Sequence, residues 1–283
     1  MTDGPFMFLR STVVLFACWG LTSAVQAQDF KIYTPVFDMQ AAESSPRAGQ
    51  RPQHPIVARS LSYFHAGKAY DYIEAAEEVL IYEPHAERFT VLDNTRGMAT
   101  TVAFEELEQM VLEAESNGRN HVHSARLKNA EPSARLDMIE FQLQPSFQER
   151  FDRQNNSLVL QSPLMTYQVK CVKSESPERV QFYLKYCDWM ARLNFVLHPQ
   201  SPLPGPRLTL NESLRKKGVM PENVTLQAAI GGGINLKAEH SITWKLDAID
   251  RERIHQWQVQ LEGQQIQHVD FRKFREVQLT AKR

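Results

Sequence analysis

The segments Lys68-Ala-Tyr-Asp-Tyr-Ile-Glu74, Glu78-Val-Leu-Ile-Tyr-Glu83, Glu87-Arg-Phe-Thr-Val-Leu-Asp93 and Met98-Ala-Thr-Thr-Val-Ala103 decide the fold class. Aromatic and β-branched residues dominate them. In Ala69–Ile73 and Arg88–Leu92 the apolar side chains roughly alternate, which is the period of a strand. The breaks carry turn chemistry, in Glu83-Pro-His-Ala86 and Asp93-Asn-Thr-Arg-Gly97. Connections this short favour antiparallel pairing. With Ser60–Phe64 and Gly67 just upstream, the stretch predicts a β-meander of about three to five strands.

Working outward, Phe104, Leu107, Met110, Val111 and Ala114 form one apolar stripe at helical spacing, and Glu105, Glu106, Glu108 and Glu113 take the other face. This helix ends at Asn117-Gly118 or runs on to about Leu127. The second half repeats the layout. Phe147–Arg153, Ser157–Gln161 and Met165–Val172 read as strands. Ser176-Pro177-Glu178 then opens a long amphipathic helix carrying Tyr183, Tyr186, Cys187, Met190, Leu193 and Leu197. Residues 198–207 are Pro-rich and read as extended, and Asn211–Gly218 reads as a short capped helix. Val224–Ala229 and Ala238–Leu246 read as strands around Gly231-Gly232-Gly233. Asp250 is a candidate cap for a helix holding Ile254, Trp257 and Leu261, closed by Gly263. Ile266–Leu279 could add an edge strand, and a first strand lies at Phe30–Phe37. The expected fold is α+β: a curved, half-barrel-like antiparallel sheet, two long helices packed on one face, and a smaller C-terminal α/β extension.

Upstream of this lies an export signal. Arg10 precedes the apolar run Ser11–Leu21, and Val25 and Ala27 supply the small residues of a cleavage site, so residues 1–27 read as a signal peptide. The expected location is periplasmic or extracellular. Leu15-Phe-Ala-Cys18 loosely resembles a lipobox, which makes a lipid anchor at Cys18 the minority alternative. Residues 28–55 are then an N-terminal strand with a flexible loop at 40–55, rich in Ser, Pro, Gly, Arg and Gln. Residues 56–283 form a single α+β domain with a candidate sub-boundary near 198–207. The remaining chain holds no apolar run long enough for a transmembrane segment. The formal net charge of −1 argues against a broad nucleic-acid surface. Cys171 and Cys187 can form one disulfide in an oxidising compartment, or remain two buried thiols.

Few residue patterns point to catalysis. His121-Val-His123 has metal-ligand spacing if it lies on a strand, with His65, His85 or His240 as a third ligand. A solvated pair near a helix end is the plainer account. No HExxH, CxxC, Gly-x-Ser-x-Gly or phosphate loop is present, and no cofactor is implied. The paired glutamates read as solvated faces. The aromatic residues are more pointed. Tyr70, Tyr72, Tyr82, Phe89 and Phe104 in the first half, and Tyr183, Tyr186 and Trp189 on the second long helix, are either core or the lining of an apolar cleft between sheet and helices.

Gly67-Lys68, Glu78-Val-Leu-Ile-Tyr-Glu83 and Arg88-Phe-Thr-Val-Leu-Asp93, followed by a helix in an exported chain, resemble the periplasmic lipoprotein carriers of the LolA/LolB type. They resemble uncharacterised exported bacterial proteins as well. The carrier resemblance spans about residues 56–115 and rests on layout. It implies an open half-barrel whose helices cover an apolar face that accepts lipid chains. The functional expectation is a non-catalytic cell-envelope protein that binds a lipid or lipoprotein acyl chain between sheet and helices. One alternative is a structural or assembly protein that binds another envelope protein. The other is a metal-dependent hydrolase using His121 and His123.

Overall fold

The computed structural model describes residues 29–41, 54–128, 133–198, 200–229 and 232–281. Residues 1–27, read above as a signal peptide, with Cys18, lie outside these residues, as do most of the 40–55 loop and Gly231. The fold is α+β, and among the described residues it is built on one large, unclosed and mostly antiparallel sheet of thirteen strands with six helices.

The meander forms as its sequence predicts. β1 (Phe30–Asp38) and β2 (Ile56–His65) pair along their length, and β3 (Lys68–Ile73), β4 (Glu78–Glu83), β5 (Arg88–Asp93) and β6 (Met98–Ala103) follow in order. Ala66 and Gly67 both have positive φ, as a two-residue type I′ hairpin turn requires. The next two connections share one device. A 3-10 turn, Glu74–Ala76 or Pro84–Ala86, is followed by a left-handed glutamate, Glu77 or Glu87.

α1 (Phe104–Leu127) runs through Gly118 instead of stopping there. Gly118 lies against Ile139 and Leu143 of α2 (Ala134–Leu143), a helix whose weak apolar pattern hides it in the sequence. β7 (Gln148–Asp152), β8 (Ser157–Gln161) and β9 (Met165–Lys173) form a second meander. α3 (Pro177–Leu197) then starts with the Ser176 side chain accepting from the Arg179 N–H.

Three expectations need correction. α4 (Gly205–Lys217) begins six residues earlier than the sequence signal at Asn211, because Pro206 sits in the first turn, where its missing N–H costs nothing. Asp247, not Asp250, caps α5 (Ala248–Glu262). Asp250 is the reciprocal member of the capping box and also holds Lys31 at 2.7 Å. The tail is not an edge strand. It gives the two-residue β13 (Gln267–His268), parallel to β6, and then α6 (Phe271–Ala281), because Phe271, Phe274 and Gln278 bury one face at helical spacing.

β10 (Val219–Ala228) and β11 (Ile234–Glu239) close the second half, and the short β12 (Ser241–Thr243) joins β1. The strand order is β13-β6-β5-β4-β3-β2-β1-β11-β10-β9-β8-β7, so β1 is the seam between the two meanders. Side-chain parity then separates two faces. The inner face packs against α1, α2, α3, α4 and α6. The outer face of β2–β6 packs against α5 through Tyr63, Tyr70, Val79, Ile81, Leu92, Ile254 and Trp257. Covered on both faces, β4 is buried at all six positions. Among the described residues no helix covers the outer face of β9, which alternates, with Met165, Tyr167, Val169 and Cys171 inward and Gln168 and Lys170 in solvent.

Candidate functional site

The inner face carries an apolar row across six strands. Phe30, Phe64, Ala69, Tyr82, Phe89 and Val102 are cross-strand partners in register, and all are buried. α3 roofs this row. Phe64 meets the Tyr186 ring edge-on at 5.3 Å, Tyr82 stacks on Phe104 at 5.6 Å, and Phe104 stacks on Trp189 at 3.9 Å. The fold therefore brings together six of the eight aromatic candidates: Tyr82, Phe89, Phe104, Tyr183, Tyr186 and Trp189. Their rings meet at contact distance, so they form a packed layer between sheet and helix.

Tyr70 and Tyr72 lie on the other face. They share the parity of Tyr63 and Leu61, opposite to that of Ala69, and Tyr72 stacks on Trp257 of α5 at 5.9 Å. There Tyr70 helps line a separate cleft of about 500 Å3 with Lys68, Glu83, Arg88, His255 and Gln258. Burial opposes ionisation of Glu83, but hydrogen bonds from Lys68, Arg88 and Thr90 outweigh it and hold the carboxyl below its usual range.

Polar groups interrupt the aromatic layer. Asp71 lies between Tyr70 and Tyr72 but has inner parity, so its carboxylate is buried beside the apolar row. Ser62 donates to it at 2.6 Å, and the Tyr186 hydroxyl reaches it from α3. Burial raises the Asp71 carboxyl above the usual carboxylate range, with these donors opposing. Burial likewise raises the Tyr183 and Tyr186 hydroxyls well above their ordinary value. Further along, Cys187 neighbours Tyr183 and Arg207 of α4, and Arg207 donates to Asn211 at 3.1 Å. His240 holds Thr34 at 2.8 Å through Nδ1. Burial first, and the Arg207 charge second, lower its pKa to about 4. Six buried side-chain atoms have no hydrogen-bond partner among the described residues, and two of them, Tyr82 Oη and His240 Nε2, lie in this interior. Pattern reading missed Asp71, Ser62 and Arg207. The signal for Asp71 was its parity, an acid at an inward position of an apolar strand.

Cys171 and Cys187 are both free and buried, so the candidate disulfide is not formed. Cys171 lies near Leu158 and Lys217, whereas Cys187 lies near Tyr183 and Arg207. Burial raises both thiols, that of Cys171 to about 11, so neither is a thiolate nucleophile at neutral pH. The histidine pair falls on α1, not on a strand. His121 and His123 are exposed on either side of buried Val122, and residues two apart on a helix point away from each other. His65 is paired with Asp29 at 2.8 Å. Among the described residues, no group of three His, Cys, Asp or Glu side chains is placed to hold a metal, and no helix is long and apolar enough to cross a membrane. No protein-family model matches the chain, and no curated protein matches it.

Proposed function

We propose that this is an exported, non-catalytic cell-envelope protein that binds an acyl chain or similar apolar group in the layer between the inner face of the sheet and α3. The observation that carries this reading is the composition of that layer. An apolar row that is aromatic at four of its six positions is roofed by α3, which adds the rings of Phe182, Tyr183, Tyr186 and Trp189, and a buried carboxyl group and an unpartnered Tyr82 hydroxyl lie among the rings. A layer built for stability alone gains nothing from these polar groups, since an unpaired buried hydroxyl costs about 1–3 kcal/mol. The resemblance to the lipoprotein carriers and the signal-peptide reading of residues 1–27 support the same reading.

Because the rings are in contact, ligand entry requires α3 to shift from the sheet. Trp189, stacked on Phe104, reports that shift. Titration with a fluorescent fatty acid is expected to show saturable one-to-one binding, a change in Trp189 emission, and competition by palmitate. Trp189→Phe should keep the binding and lose the emission change. Absence of saturable binding would refute the ligand reading.

The tight packing favours one other reading, an assembly protein whose outer surface meets another envelope protein. Tyr33, Ile56 and Val57 on the neighbouring strands β1 and β2 are exposed apolar residues suited to such a contact.

A further inference from the structure

At the end of the inner face, beside the C-terminus of α4, lies a pocket of about 580 Å3. Phe151 and Val219 supply its apolar wall, and Arg153, Lys173, Lys216 and Lys217 surround it. Four cations thus converge in a chain whose formal net charge is −1. They come from three separate elements: Arg153 just beyond β7, Lys173 at the end of β9, and the lysines in the last turn of α4. A helix C-terminus explains its own lysines, since cations favour the negative end of the helix dipole. It does not explain Arg153 and Lys173.

The pairing is incomplete. Lys216 is held by Glu212 at 2.6 Å, and Lys217 is paired with Glu149 and sits 5.4 Å from the Phe151 ring centroid. The side chains of Arg153 and Lys173 have neither an ion pair nor a hydrogen bond among the described residues. Two uncompensated cations facing one pocket, with further ammonium groups beside them, favour a doubly charged anion over a single carboxylate. A guanidinium adds the planar fork that matches phosphate oxygens.

We propose that this pocket binds a phosphate group, carried by a lipid headgroup or as the free ion. The lipid form rests on the acyl-chain reading above, because Val219 belongs to, and Phe151 packs against, the same hydrophobic core as the aromatic layer. The phosphate site itself does not depend on it.

The test is calorimetric titration of the full chain at low salt with inorganic phosphate, with dihexanoylphosphatidic acid and with uncharged dihexanoylglycerol. Inorganic phosphate and the phosphatidic acid are expected to bind one-to-one, and the double variant Arg153→Gln/Lys173→Gln to weaken both by about 10-fold or more, as losing charge-assisted hydrogen bonds predicts. Lys68→Gln/Arg88→Gln in the outer-face cleft should leave both unchanged. Tighter binding of the phosphatidic acid than of inorganic phosphate assigns the lipid source, and equal binding assigns the free ion. Should the double variant fail to fold, the single variants carry the same comparison. No phosphate binding, or binding indifferent to Arg153 and Lys173, overturns the site. The inorganic phosphate arm does not involve the aromatic layer. Its failure leaves the acyl-chain reading standing, and failure of the fatty-acid titration leaves this site standing.

Discussion

Acidification tests the interior directly, through His240. The residue is half-buried between β11 and β12, its Nδ1 lies 2.8 Å from Thr34 Oγ1, and its buried Nε2 has no partner among the described residues. Its pKa is lowered to about 4 from an ordinary 6.5, by burial first and by Arg207 second. The sign follows from proton counting. Between about pH 6.5 and 4 the unfolded chain binds a proton at this position and the folded chain does not. The stability linked to His240 is therefore complete above the unfolded pKa and is lost as the pH falls. Linkage with these two pKa values gives a loss of about 2 kcal/mol between pH 7 and 5, and about 3 kcal/mol by pH 4. The assay is urea unfolding of the wild type and His240→Gln at pH 7, 6 and 5, with equal m-values confirming two-state behaviour. Glutamine keeps a polar partner for Thr34 but does not titrate. Any packing cost of the substitution is present at every pH and cancels from the slope. The wild type should lose about 2 kcal/mol more than the variant over this range. Parallel pH profiles would refute the neutral His240.

Other substitutions probe the remaining interior. Tyr82→Phe removes an unpartnered buried hydroxyl and keeps the stack on Phe104, so it should stabilise by about 1 kcal/mol and raise Tm by about 2–4 °C; a loss of stability in calorimetry would mean the hydroxyl is satisfied. Gly205→Ala places a methyl 2.4 Å from the Gln142 carbonyl oxygen, a backbone atom that cannot turn away, and should cost about 2 kcal/mol in denaturant titration. Asp71→Asn tests the raised carboxyl. In the wild type that group opposes stability as the pH rises above the ordinary carboxylate pKa, so the variant should flatten this part of the pH profile, and an unchanged profile would count against it. Cys171 and Cys187 should resist a thiol reagent until the protein unfolds, as mass spectrometry of the labelled peptides would show.

The sequence alone determined the meander, the two long helices and the α+β class, because these depend on local rules. Period-two alternation, short turns and an apolar stripe act over a few residues and need no knowledge of distant partners. Parity was legible at the same level. Tyr70 and Tyr72 had to share a face, and Asp71 had to oppose them. What parity could not say was which face received which helix. That depended on α5, more than 170 residues away, settling on the outer side of β2–β6. It is why eight aromatic residues read as one set divide into six between the inner face and α3 and two on the outer face against α5. The same distance conceals the buried polar groups. Arg207, Cys187 and His240 come from separate elements, and only packing brings them into one interior. α6 was misread because its inward residues Phe271, Phe274 and Gln278 meet the sheet edge and Glu78, partners that no local pattern reveals. The tertiary structure also decided the phosphate pocket. Its cations are dispersed from Arg153 to Lys217, and only the convergence of two strand ends and a helix terminus concentrates their charge.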